Sequence, residues 1–146
     1  ASFAKLDSNN IVEQIIVVND DELKDNSGTS GENIGIAFCQ KTVGALTNWK
    51  QTDTNMRGNM AGIGHTYMTG VQTLGVASTD IFIEQKPFPS WSIGINTAKW
   101  YPPDNPGHPP ALSSSEIAAS KSYRWNEGNY QADPSTAWEL TTPTII

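Results

Sequence analysis

The first twenty residues, "ASFAKLDSNNIVEQIIVVND" (residues 1–20), decide the fold class. Phe3 to Leu6 has the length and apolarity of a short strand. Asp7-Ser8-Asn9-Asn10 supplies side chains that bond to nearby backbone and tolerate turn conformations. Ile11 to Val18 is rich in β-branched residues, whose restricted rotamers suit a pleated surface. Together they read as a β-hairpin. Apolar residues do not alternate in Ile15-Ile16-Val17-Val18, so the second strand is expected to be covered on both faces. The N-terminal strand also offers a way to add to a neighbouring chain's sheet edge, with Phe3 as a contact residue.

Beyond the hairpin, "NDDELKDNSGTSGEN" reads as an exposed polar loop. Its acidic run of Asp20, Asp21, Glu22 and Asp25 lacks the ligand spacing and invariant glycine of an EF-hand, so a solvated loop is favoured over a calcium site. A helix is expected from Glu32 to Val43. Ile34, Phe38 and Cys39 fall on one side, Ser30 or Asn33 can cap the start, and Gly44 can stop it. Gly31 and Gly35 weaken that helix. "TNWKQTDTNMRGNMAGIGHTYM" reads as two strands joined by a turn, Trp49 on the first and Ile63 to Tyr67 on the second. Val71, Leu74 and Val76 follow, then an alternating strand around Asp80 to Glu84.

From Lys86 the aromatics dominate. In "KPFPSWSIGINTAKWYPP" (residues 86–103), Ser90 to Ile93 and Lys99 to Tyr101 can pair around Ile95-Asn96-Thr97-Ala98. Tyr123 to Asn126 and Ala137 to Leu140 can pair around the loop "EGNYQADPST". Each unit carries a Trp near both strands, a weak internal repeat of hairpins. Between them, Pro102, Pro103, Pro106, Pro109 and Pro110 exclude a central strand and favour an extended connector. Ser113 with Glu116 three places on has the pattern of a capping box for one short helical turn.

The expected fold is therefore mainly β: a hairpin-rich, sandwich-like or partly open β-domain with one short helix and long Pro-rich loops. Residues 1–85 read as a β-rich domain with the helix. Residues 86–146 read as a tryptophan-hairpin module packed on it, or as part of one continuous domain. A chain of 146 residues is long enough for a core without a staple.

A net charge of −6 with nine basic residues disfavours nucleic acid and anionic membrane as partners. A single cysteine, Cys39, excludes an internal disulfide and a thiolate zinc cluster, and reads as a buried small apolar residue. The N-terminus lacks the features of a signal peptide, and Ala1 reads as the residue left after removal of an initiator methionine. No catalytic signature surrounds His65 or His108, and Gly62-Ile63-Gly64 lacks the rest of a phosphate loop. No catalytic, cofactor or metal residues are assigned.

The candidate interaction residues are Phe3, Phe88, Trp91, Trp100, Tyr101, Trp125, Tyr130 and Trp138. The rings can stack on pyranose faces. They can equally fill a thin core or a protein contact, since each buries about 150–250 Å². Core or protein contact is favoured. Phe88, Trp100, Tyr101 and Tyr130, beside prolines and loops, are better candidates for exposure than Trp49.

The segments "ASFAKLDSNNIVEQIIVVND", "TNWKQTDTNMRGNMAGIGHTY", "IFIEQKPFPSWSI…AKWYPP" and "YRWNEG…AW" together resemble small virion structural proteins of marine tailed phages, notably cyanophages. Residues 69–80 and 104–122 depart from that pattern and read as insertions. The resemblance implies a non-enzymatic virion component made in the host cytoplasm, without cofactors. Its partners would be other virion proteins, first the major capsid protein, with homo-oligomeric or lattice copies. A capsid decoration protein is the leading expectation. The alternatives are a tail, neck, baseplate or fibre component, and, from another class, a carbohydrate-binding receptor-recognition module.

Overall fold

The computed structural model describes residues 1–24, 31–73, 76–94 and 97–144. Asp25, Ser30, Leu74, Ile95 and Asn96, to which the sequence assigns acidic-loop, cap, strand and turn roles, lie outside the described residues. The chain is mainly β, built of several small antiparallel sheets with few helices. It divides into two compact units: Ala1–Gln85 with Ile93–Lys99, and Lys86–Ser92 with Trp100–Ile146.

In the first unit, β1 (Ser2–Leu6) and β2 (Val12–Val17) form the expected hairpin. Asp7 closes the turn, its carboxylate accepting from the backbone N–H of Asn9 at 2.8 Å and of Ile11 at 2.9 Å. Asn10 takes the left-handed conformation that asparagine tolerates, with φ 62°. The register steps from Lys5↔Gln14 to Leu6↔Val12, so Glu13 is the extra residue of a bulge. On its other side β1 pairs with β3 (Asn48–Thr52), giving the strand order β2-β1-β3.

That order overturns the idea of a donated N-terminal strand. β1 is the central strand, Phe3 and Ala4 are fully buried, and both its edges are hydrogen-bonded within the chain. Phe3 is a core residue. Removing residues 1–6 would delete the middle of the sheet, so the truncation cannot separate docking from folding.

The sheet carries a core on each face, reached by Ile15 and Ile16, but β2 is not covered along its whole apolar run as expected, because Val17 is 81% exposed. After a 3-10 turn at Asp20–Leu23 comes α1 (Glu32–Val43), with the bounds expected from sequence. Phe3, Val18, Cys39 and Trp49 form one core cluster, joined by Ile16, Ile36 and Phe38. On the opposite face Ala4, Leu6 and Val12 pack with Ala61, Tyr67 and Phe82, joined by Ile15. Neighbouring isoleucines thus serve opposite cores. Gly35 explains itself here: a Cβ would come within 2.2 Å of the Phe3 ring, so the helix gives up propensity to lie close to the sheet. Gly31, at the cap position of α1, has no side chain to cap it, while Gly44 ends the helix with its N–H on the Gln40 carbonyl.

The strands carrying Trp49 and Tyr67 do not pair with each other. Instead β4 (Thr66–Thr73) pairs with β5 (Val76–Ile83). Gly62 N–H donates to His65 Nδ1 at 3.0 Å and His65 N–H to the Gly62 carbonyl at 3.0 Å, closing a turn that delays the strand to Thr66. Ile63, expected on the strand, sits in that turn and is 67% exposed. A bulge between Met68 and Val71, with Gly70 at φ 70°, sets Asp80 opposite the extra residues.

The short strands β6 (Ser92–Ile93) and β7 (Trp100–Tyr101) form a two-stranded ladder. In the second unit, α2 (Ser114–Ala118) carries the capping box expected from Ser113 and Glu116. β8 (Ser122–Trp125) pairs with β9 (Trp138–Thr141), placing Trp125 directly opposite Trp138. Their connection, expected to be a loop, is α3 (Glu127–Ala132) followed by a 3-10 turn at Pro134–Thr136. Two caps make it so: Asn126 accepts from Asn129 N–H at 2.8 Å, and Asp133 from Ser135 N–H at 3.1 Å. Among the described residues no helix is long and apolar enough to cross a membrane.

Candidate functional site

Two side-chain constellations stand out, one in each unit. The first centres on Arg57. Strand alternation leaves the N–H and C=O of Gln51 pointing away from β1, toward the outer edge of β3. Glu32, the first residue of α1, accepts the Gln51 N–H at 2.8 Å. The Arg57 guanidinium donates to the Gln51 carbonyl at 2.8 Å, and forks onto Glu32 at 2.7 and 3.1 Å. Its Nε reaches Asp80 at 2.7 Å, where the Tyr67 hydroxyl also donates at 2.5 Å.

The same segment closes a second edge. Phe82 N–H donates to the Arg57 carbonyl at 2.9 Å, and Asn59 Nδ2 donates to the Phe82 carbonyl at 2.8 Å. Residues 57–59 therefore clasp β3 and β5 without being a strand themselves. The clasp needs left-handed backbone at Arg57 (φ 55°) and at Gly58 (φ 77°), and a Cβ on Gly58 would meet the Ala98 methyl at 2.5 Å.

Electrostatically the cluster is self-satisfied. Burial works against ionisation of Arg57, but the two carboxylates hold its pKa above the ordinary arginine range. Burial likewise raises Glu32 and Asp80. Hydrogen bonds from Arg57 and Gln51 outweigh it for Glu32, and those from Tyr67 and Arg57 for Asp80, so both lie below the usual carboxylate range. Burial, then the Asp80 hydrogen bond, push Tyr67 up to about 12. A guanidinium forked onto two carboxylates offers little to an anionic substrate. A phenol titrating that high is no base at neutral pH. The arrangement fastens edges.

The second constellation is aromatic. Trp125 is 4% exposed and forms the hub: Trp138 lies 5.2 Å away at 80°, Trp91 at 5.6 Å and 86°, and Tyr130 at 5.3 Å. Phe88 closes the group, 5.6 Å from Trp91 and 6.3 Å from Trp125. Polar groups pin the rings. Glu127 accepts from Trp125 Nε1 at 3.0 Å and from Ser90 Oγ at 2.7 Å, and Trp138 Nε1 donates to the Gly107 carbonyl at 2.9 Å. Burial alone would raise the Glu127 pKa; the Ser90, Gln131 and Trp125 donors more than offset this, so the carboxyl titrates below its usual range. Trp91 Nε1 is buried without a hydrogen-bond partner among the described residues.

Five of the eight candidate interaction residues thus converge: Phe88, Trp91, Trp125, Tyr130 and Trp138. Trp100 and Tyr101 form β7, beside the strand that follows Trp91. Lys86 sits 5.7 Å over the Trp100 ring, and Tyr101 meets His108 edge-on at 6.2 Å. Trp91 of the first hairpin joins the β8–β9 tryptophans of the second. The tryptophan rings of the cluster meet edge-on, not as one flat face.

Sequence reasoning missed Arg57 altogether. The available signal was thin: one of two arginines in an acidic chain, followed by Gly-Asn between two strand patterns. Cys39 is fully buried, and burial raises its thiol pKa. Comparison of the chain with protein-family profiles, curated proteins and solved structures gave no match.

Proposed function

We propose that this chain is a non-enzymatic virion structural protein of a tailed phage, and that it acts as a capsid decoration protein docked in many copies on the head lattice. The sequence resemblance supplies the virion setting. The observation that carries the structural side is the interlocked aromatic cluster around Trp125, whose rings meet edge-to-face and whose polar edges are bonded internally. Such rings exclude water from a small module. The shifted titratable groups Glu32, Arg57, Tyr67, Asp80 and Glu127 support the same reading, because each is engaged by partners within the chain.

Quantitative mass spectrometry of purified particles tests the decoration role. A copy number comparable with that of the major capsid protein is expected. A few copies per particle would move the chain to the tail, and turnover of a substrate by the purified protein would refute the non-enzymatic reading.

A further inference from the structure

The geometry points to the outer edge of β2 as a docking site for an extended, basic segment of another protein, bound by strand addition. This inference concerns the edge itself and does not rest on the virion reading.

Hydrogen-bond alternation fixes which groups face outward. Ala1 and Val18 exchange hydrogen bonds at 2.9 and 2.7 Å, so in the antiparallel ladder Ile16 and Gln14 also turn their backbone toward β1. The N–H and C=O of Ile15 and Val17 turn the other way. Among the described residues nothing pairs with them. The edge is closed only at its start, where Val12 N–H donates to the His65 carbonyl and Gly64 N–H to the Val12 carbonyl, both at 2.8 Å. The contrast with β3 and β5 is direct, because their edges are fastened by Glu32, Arg57 and Asn59. An open edge invites strand pairing unless it is protected. Val17 is 81% exposed and offers apolar surface beside the free main-chain groups.

Charge selects the occupant. Asp21 and Glu22 are exposed just beyond the far end of the open stretch, followed by Lys24, while Asp20 is paired with the N-terminal amine at 3.5 Å and Glu13, exposed at the near end, is paired with Lys5. A strand carrying Lys or Arg has the complementary charge, while its main chain satisfies Ile15 and Val17.

The test uses the full chain and two synthetic heptapeptides, Lys-Val-Lys-Val-Thr-Val-Lys and the same sequence with Glu for Lys. In the free protein the amides of Ile15 and Val17 should exchange with solvent at least tenfold faster than that of Ile16. The basic peptide should slow them at least tenfold, and the acidic one should bind at least tenfold more weakly. Val17→Pro removes an outward N–H and leaves the β1 ladder intact, so it should abolish binding with the fold retained. Asp21→Lys with Glu22→Lys, which leaves β2 untouched, should reverse the peptide preference. Slow exchange of Ile15 and Val17 in the free chain would overturn the proposal. So would equal binding by the folded Val17→Pro variant, no binding of the basic peptide, an unreversed preference in the charge variant, or a dimer that Val17→Pro dissolves.

Discussion

Arg57 is 14% exposed as a side chain, and it holds Glu32, Gln51 and Asp80 at once from a backbone conformation that costs most residues energy. Charge-assisted hydrogen bonds of this kind contribute about 1.5–3 kcal/mol each, reduced here because solvent reaches both carboxylates. Arg57→Ala should therefore lower the unfolding free energy by about 2–3 kcal/mol, read by urea titration. Arg57→Gly should lower it by less, because glycine accepts the left-handed φ that alanine resists. Equal losses would show that backbone strain is not part of the clasp. The pH dependence follows in sign. Glu32 and Asp80 have folded pKa values below their unfolded ones. Their contribution is present above the unfolded value of about 4 and lost as pH falls through the folded values. The difference between wild type and Arg57→Ala should narrow below about pH 4. Tyr67, raised to about 12, contributes stability that is present below about pH 10 and lost as pH rises toward 12.

At the scale of elements, packing rather than propensity explains the composition. Gly35→Ala would favour α1 by about 1 kcal/mol in an isolated helix, yet here it drives a methyl into the Phe3 ring. We expect net destabilisation of about 1–3 kcal/mol, measured as a lower urea midpoint; a stabilised variant would contradict the close approach of helix and sheet. The tryptophans allow a matched comparison. Trp125→Phe removes the donor to Glu127 from a 4% exposed ring, whereas Trp91 Nε1 has no partner among the described residues to lose. Trp91→Phe should therefore cost less than Trp125→Phe in the same titration. Legibility divides along the same lines. The hairpin, the bounds of α1 and the pairing of β8 with β9 were written in turn residues and apolar spacing, which are local. Whether β3 would pair with β1 or β4 depends on partners distant in sequence, and the caps that fold residues 127–136 compete with an equally plausible loop. The clasp was illegible because a lone arginine at a turn declares no partner.

The whole molecule contains two compact units, each with its own means of excluding water: two apolar clusters about a central sheet in the first, interlocked rings in the second. Among the described residues no group of three or more His, Cys, Asp or Glu side chains is placed to hold a metal ion. Its charged clusters fasten the fold. Its surface carries a strand edge with Val17 beside it and exposed apolar side chains such as Leu46 at 99% and Ile117 at 62%. That distribution fits the proposed role in contact with other virion proteins. Reconstruction of purified phage particles by electron cryomicroscopy tests it most directly. Density for this chain is expected to repeat over the head lattice, with the main chain of β2 alongside a strand of a neighbouring protein. Particles that lack the chain altogether would contradict it.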